Sequence, residues 1–551
     1  MAYRMAWFRN NAHVPSLTPA RAGAAIAAMI AAAESFRPSL TPRSTVHQAI
    51  LVGAASLTAS PLGAAIGTAV HKGARRNSHQ GSQTARLALV AGFGVIAVAR
   101  ARRHVAEQRI SYPEWAPVAS SPVISAATGL GGATGIAVTA DALSGATRFV
   151  GHRVAARVPG SPTMWAAVSG VATATAVRIA SKWAMAVLLS RLANAGRAAD
   201  GALASATRDP YVSGGPDSLV PYDTLSREGR RFVSWRVDAG TIASDLSIDS
   251  SAEPIRVFVG LDSAETVEGR VDIAISELDR LGAWSKSAIL AVSPAGSGYA
   301  NSVPVEALEY LSHGDCASVV IQYGVLPSLL SEAELPVAAE TFRRLVDQII
   351  DRSGSAPKRP RLLVYGESLG AQTAQKALQM EPTRVNEATA EVSGVDAALF
   401  AGTPGGPSLR DDLDHHPRTI HVDRWQELPS PRPDGVRLWF LDHDADPVTR
   451  FELKLWRHRP KWVSTRPRGR GIPDAMTWIP MLSWQQVALD VAYATQAQSG
   501  DFRSVGHDYR ADLPGAVAAA FAPEAGEAVG TITRLLVRRE LERDRVLGSE
   551  A

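Results

Sequence analysis

Gly366-Glu367-Ser368-Leu369-Gly370 is the only G-x-S-x-G in this 551-residue chain. Glycines at its first and last positions permit a sharp turn from a strand into a helix. Such a turn projects the serine hydroxyl and leaves free helix N–H groups beside it. That is equipment for acyl transfer, a nucleophile backed by donors for a developing oxyanion. Five residues are a weak signal in a chain with 45 glycines. Their flanks strengthen it, because RLLVY (361–365) reads as a strand and 369–380 as an amphipathic helix. The bland alternative is a tight strand-to-helix turn without chemistry.

A serine nucleophile needs a base, and the base needs an orienting carboxylate, in the chain order Ser, Asp, His. After a strand at 436–441 comes Asp442-His443-Asp444-Ala445-Asp446-Pro447-Val448. Asp446 is the choice for the acid because Asp-Pro-Val closes a tight turn there, and Asp444 is the alternative. His507, in Gly506-His507-Asp508-Tyr509, is the only histidine after His458, so order makes it the base. The oxyanion donors are then the N–H of Leu369 and one from Gly296 or Ser297, in the Gly-rich loop Ser293–Tyr299. The plain readings are a surface aspartate, a loop histidine and a flexible loop. One cysteine, Cys316, excludes a disulfide framework and a cysteine-based zinc site. No metal and no cofactor are expected.

Elements must hold these residues in place. Strands at 256–260, 288–292, 318–323, 361–365, 397–401 and 436–441 alternate with helices at about 265–281, 305–311, 337–350 and 369–380, and a last helix starts near Leu513. That alternation is an α/β pattern, a mostly parallel sheet with helices on both faces.

The first 200 residues are of another kind. Their only acids are Glu34, Glu107, Glu114, Asp141 and Asp200. Apolar stretches at 44–70, 122–140 and 158–177 approach or exceed the roughly 20 residues needed to cross a bilayer, while 87–99 and 22–33 are shorter. The competing reading is a soluble alanine-rich bundle, since alanine is a good helix former but only weakly apolar. Arg and Lys flank every candidate span, so the positive-inside rule assigns no orientation. The mean hydropathy of −0.01 thus averages an apolar part with a polar one. The expected domains are a hydrophobic helical region (1–205), a connector (206–254), a catalytic domain (255–535) with a cap insertion at about 450–500, and a charged tail (536–551). The insertion carries Trp456, Trp462, Trp478 and Trp484 with Arg457, Arg459, Lys461, Arg466, Arg468 and Arg470. That mixture suits anionic lipid head groups, or a solvated loop over a tryptophan core. The formal net charge of +4 excludes a whole-chain nucleic-acid surface.

Together these segments resemble a family of actinobacterial membrane-linked α/β-hydrolases with an N-terminal transmembrane domain. Phe36-Arg37-Pro38-Ser39-Leu40-Thr41-Pro42-Arg43 is similar to the family's motif before its first membrane helix. Ser213-Gly214-Gly215-Pro216 and Gly229-Arg230-Arg231-Phe232-Val233 are similar to its interdomain segment. Ser293–Tyr299, Gly366–Gly370, His443–Val448 and Gly506–Tyr509 are similar to its Gly-rich loop, nucleophile elbow, acid turn and histidine loop. The resemblance implies an α/β-hydrolase fold, the triad Ser368, Asp446 and His507, and a multi-pass location in the plasma membrane. The expected activity is hydrolysis of a lipid or other apolar ester, with membrane lipid as partner and no nucleic acid. The alternatives are an acyltransferase using the same acyl-enzyme on a cell-envelope lipid or glycan, and a non-enzymatic membrane scaffold.

Overall fold

The protein is described from a computed structural model. It covers residues 17–74, 83–115, 118, 120–156, 161, 164, 165, 168, 175, 203, 205–325, 334–381, 384–428, 435–494 and 498–548. The chain forms two compact units. A helical unit comprises Met1–Ala180 with Leu453–Val491, and a sheet unit comprises Ser181–Glu452 with Ala492–Ala551.

The sheet unit is built on seven strands: β1 (Ile255–Val259), β2 (Ala288–Ser293), β3 (Cys316–Ile321), β4 (Arg361–Glu367), β5 (Ala397–Ala401), β6 (Thr419–Val422) and β7 (Leu438–Leu441). All pairings are parallel, in the order β1-β3-β2-β4-β5-β7-β6. Helices Val267–Arg280, Leu335–Ser353 and Leu369–Gln379 pack together as one layer, and Ser302–Leu311, Leu513–Phe521 and Val529–Gly548 as another. Strands covered on both faces must be apolar throughout rather than alternating. Accordingly β1, β2, β3, β5 and β7 are buried at every position. This is the α/β-hydrolase architecture that the motifs imply. β6 was not among the expected strands. Its four residues, TIHV, form an edge with His421 exposed, too short and too polar for a periodicity signal. Cys316 is buried in β3, and burial pushes its thiol up to about 12.

Two segments expected outside the catalytic domain fold onto it. The connector supplies helices Arg227–Ser234 and Ala239–Leu246, and Val212 bridges in parallel to Arg256 of β1. The expected tail continues the last helix, where Arg538 reaches Asp245 at 2.7 Å and Arg539 reaches Glu306 at 2.9 Å. Polar pairing, not an apolar stripe, carries that helix past residue 536.

The helical unit contains α1 (Pro19–Glu34), α2 (Thr45–Ala74), α3 (Gln83–Ser111) and α4 (Pro122–Ala155). α2 and α3 are long and apolar enough to cross a membrane. Gly23 and Gly63 let α1 and α2 touch: a Cβ on Gly23 would sit 2.1 Å from the Gly63 carbonyl oxygen. The expected span at 158–177 lies largely outside the described residues. The insertion expected as a cap belongs to this unit from Leu453 to Val491. Its helix Leu482–Ala492 packs Leu482 on Leu51 and Ala55 of α2. Asp490 of that helix accepts hydrogen bonds from the Ser39 hydroxyl and the Leu40 N–H, and faces Arg43 Nε at 3.5 Å. The insertion is therefore tied to the 36–43 motif by a buried carboxylate, a contact more than 440 residues apart that no local pattern announces.

Candidate active site

Sheet register sets the site. Ser293 pairs with Gly366, Gly366 with Phe400, and Phe400 with Phe440. The segments that follow β2, β4, β5 and β7 consequently leave the sheet side by side at its carboxyl edge, where α/β folds place their ligands.

Ser368 stands between β4 and helix Leu369–Gln379 with φ 56° and ψ −126°. A left-handed non-glycine residue stores strain that its surroundings must impose. Here the two elbow glycines are required by space. A Cβ on Gly366 would lie 2.6 Å from the Gly370 carbonyl oxygen, and one on Gly370 would lie 2.2 Å from the Ser293 carbonyl oxygen. The close approach of Gly370 to Ser293 also draws the 293–299 loop beside Leu369, whose N–H opens the helix. In that loop Gly298 N–H donates to Ala295 O at 2.8 Å and Gln322 Nε2 donates to Ser297 O at 3.0 Å. The N–H groups of Gly296 and Ser297 make no hydrogen bond within the described residues.

His507 and Asp446 are in contact. His507 Nδ1 donates to Asp446 Oδ2 at 2.7 Å, and the two side chains are 4% and 0% exposed. This fixes the tautomer that leaves Nε2 free to accept a proton. Asp446 also receives the Tyr509 hydroxyl on the same oxygen at 2.7 Å and the Val448 N–H on Oδ1 at 2.8 Å. Asp444, the alternative acid, turns away and pairs with Arg450 at 2.7 Å. Burial pulls the His507 imidazole down. The charge and hydrogen bond of Asp446, aided by Glu367 and Asp442, outweigh it and hold the ring above its ordinary value.

Ser368 and His507 flank one backbone step. Ser368 N–H donates to Ala401 O at 2.9 Å, and a Cβ on the next residue, Gly402, would lie 2.7 Å from His507 Cε1. Gly402 has φ +59° and lies equally close to Tyr509. No hydrogen bond joins Ser368 Oγ to His507 among the described residues. Catalytic hydrogen bonds often tighten only when substrate binds.

Several neighbours carry no role in the sequence argument. His443 Nδ1 donates to Gly506 O at 2.8 Å, and its Nε2 lies 3.0 Å from Asp512 Oδ2. Stacked on Tyr509 at 4.1 Å, His443 thus anchors the loop that carries His507. Glu367, inside the elbow, receives Tyr365 Oη at 2.7 Å and Asn301 Nδ2 at 2.8 Å. Burial raises its carboxyl above the usual range despite those two bonds. Tyr509 sits two residues from His507, which is a legible signal. Gly402, Asp512 and Asn301 meet the site only through the fold. Among the described residues, no three His, Cys, Asp or Glu side chains gather as a metal site.

Residues 255–531 match the model of an alpha/beta-hydrolase family, and residues 36–235 match the model of that family's N-terminus. No curated protein and no solved structure matches the chain.

Proposed function

Because the chain belongs to this alpha/beta-hydrolase family, we propose that it is a membrane-associated serine hydrolase acting on the ester of a lipid or another apolar acyl group. Ser368 Oγ attacks the ester carbonyl carbon while His507 Nε2 takes the hydroxyl proton. Asp446 holds the imidazolium that results. The carbonyl oxygen, now negative, receives the N–H of Leu369 and that of Gly296 or Ser297. The C–O bond to the alcohol breaks, and the alcohol leaves with the proton from His507. Water then attacks the acyl-enzyme through the same base, releasing the acid and restoring Ser368.

The observation that carries this reading is the shared Ala401–Gly402 step, with strained Ser368 on one side and the Asp446-bound imidazole on the other. The membrane setting draws on a different one. α3 is long and apolar yet leaves Val95 71%, Leu89 57% and Val98 54% exposed, and α2 likewise exposes Leu62 and Val70 at 66%. Apolar faces of that extent suit hydrocarbon better than water.

A fluorophosphonate probe tests the chemistry. Wild-type protein is labelled in membranes and in detergent, and Ser368→Ala is not, with an unchanged melting temperature. Wild type that resists the probe in both settings overturns the enzyme reading. Release into the soluble fraction by carbonate overturns the membrane reading and leaves the chemistry standing.

A further inference from the structure

The helical unit holds a cavity that the hydrolytic reaction does not use. It lies where α2 begins, α3 ends and α4 begins, and has a volume of about 310 Å³. That is the lower end for a small-molecule site, enough for a polar head group and little more. Arg43 and Arg109 line it, and among the described residues no carboxylate does. Phe36, Val105 and Trp115 add apolar wall. Arg109 and Val118 are exposed, so the cavity opens to the surface.

Arg43 is the decisive residue. Its side chain is only 2% exposed. Nη1 donates to Ser35 O at 3.0 Å and to Gln48 Oε1 at 3.2 Å, while Nε faces Asp490. Nη2 has no hydrogen-bond partner among the described residues. Buried donors are almost always satisfied, and a charged donor left unpaired is especially costly. Asp490 cannot supply the missing acceptor, because its carboxylate already serves Ser39, Leu40 and Arg43 Nε and lies outside the lining. The neighbouring acids are engaged too, Glu34 with Arg37 and Arg100, and Glu107 with Arg103 and His104.

We propose that this cavity binds a phosphate-type oxyanion, carried by a lipid head group or free in solution. One anionic oxygen accepts from Arg43 Nη2, and Arg109 adds positive charge at the mouth. The aromatic and aliphatic wall would cover the glycerol and first acyl carbons of a lipid, which free phosphate lacks. The site lies wholly within the helical unit and stands apart from Ser368 chemistry.

The test is calorimetric titration of the full chain in a nonionic maltoside detergent. The probes are dihexanoyl phosphatidic acid, the matched dihexanoylglycerol and inorganic phosphate. Saturable binding of the phosphatidic acid, with the diacylglycerol at least about tenfold weaker, is the expected result. Phosphate binding as tightly as the lipid supports the oxyanion site and assigns it to the free anion. Phosphate binding about tenfold more weakly supports it and assigns it to a head group. Arg43→Lys should weaken the anion about tenfold, since an ammonium cannot serve Ser35, Gln48 and a ligand together. Should that variant misfold, the exposed Arg109→Glu replaces it, with a loss of several-fold or more. Diacylglycerol binding equal to phosphatidic acid, no saturable binding of either anion, or wild-type affinity in Arg109→Glu overturns the proposal.

Discussion

In the sheet unit the strands are buried, mostly apolar runs, and the polar groups buried beyond their carboxyl ends are each tied to a neighbour: His507 to Asp446, Asp446 to Tyr509, His443 to Asp512. In the helical unit the long helices expose valines and leucines on their outer faces, while Glu34, Arg43, Gln48 and Asp490 are buried. The first arrangement suits water outside and chemistry at a shielded edge. The second suits a less polar surrounding, with the few charges drawn inward. The buried carboxylates of the two units therefore have different work. In the proposed mechanism Asp446 orients a base. Asp490 joins the insertion to the α1–α2 connection.

Exchanging each carboxylate for an amide separates those roles. Asp446→Asn should lower kcat for ester hydrolysis on the order of a thousandfold, because the amide no longer holds the Nδ1–H tautomer or stabilises the imidazolium. Its melting temperature should move much less than its rate, and comparable losses in both would make Asp446 structural. Asp490→Asn should do the reverse. Leaving Arg43 without its carboxylate costs about 3 kcal/mol in the helical unit, read as lost detergent stability. Fluorophosphonate labelling of Ser368 should persist, and loss of labelling in folded protein would erase the contrast between the units.

Gly402→Ala should follow, with a loss in kcat/KM of about ten- to a hundredfold. Its Cβ would sit 2.7 Å from both His507 and Tyr509, in a backbone region hostile to side chains. The smallest effect is the pH dependence. As the proposed base His507 must be neutral to act, and its value is raised, so kcat/KM should fall as pH drops through a point above about 6.5. Residual activity of Asp446→Asn should show that limb at lower pH, because burial then acts with less opposition. The stabilising His507–Asp446 charge pairing is complete below the unfolded histidine value and is lost as pH rises through the folded one. The melting temperature of wild type relative to Asp446→Asn should narrow over that interval.

Much of this molecule is local in origin. Six of the seven strands and the main helices follow from apolar period and β-branched runs, and the ends differ by a few residues. The elbow follows from two glycines around a serine, and spatial need at Gly366 and Gly370 bears out that logic. Less legible were segments whose partners lie far away. The connector reads as turn formers, yet Val212 extends the edge of the sheet. The insertion reads as a tryptophan-rich, basic cap, yet Leu482 and Asp490 tie it to the helical unit.

Sequence by itself determined the α/β alternation, the candidate nucleophile, acid and base, and the long apolar helices. Periodicity, glycine placement and chain order are properties of neighbouring residues. Tertiary structure decided which aspartate meets His507, that Gly402 and Tyr509 crowd the imidazole, and that Arg43, which lines a cavity, has one nitrogen without a partner among the described residues. The reason is geometric. Contacts between residues 61 positions apart, or 450, depend on sheet register and on the path of loops, and a one-dimensional pattern carries neither.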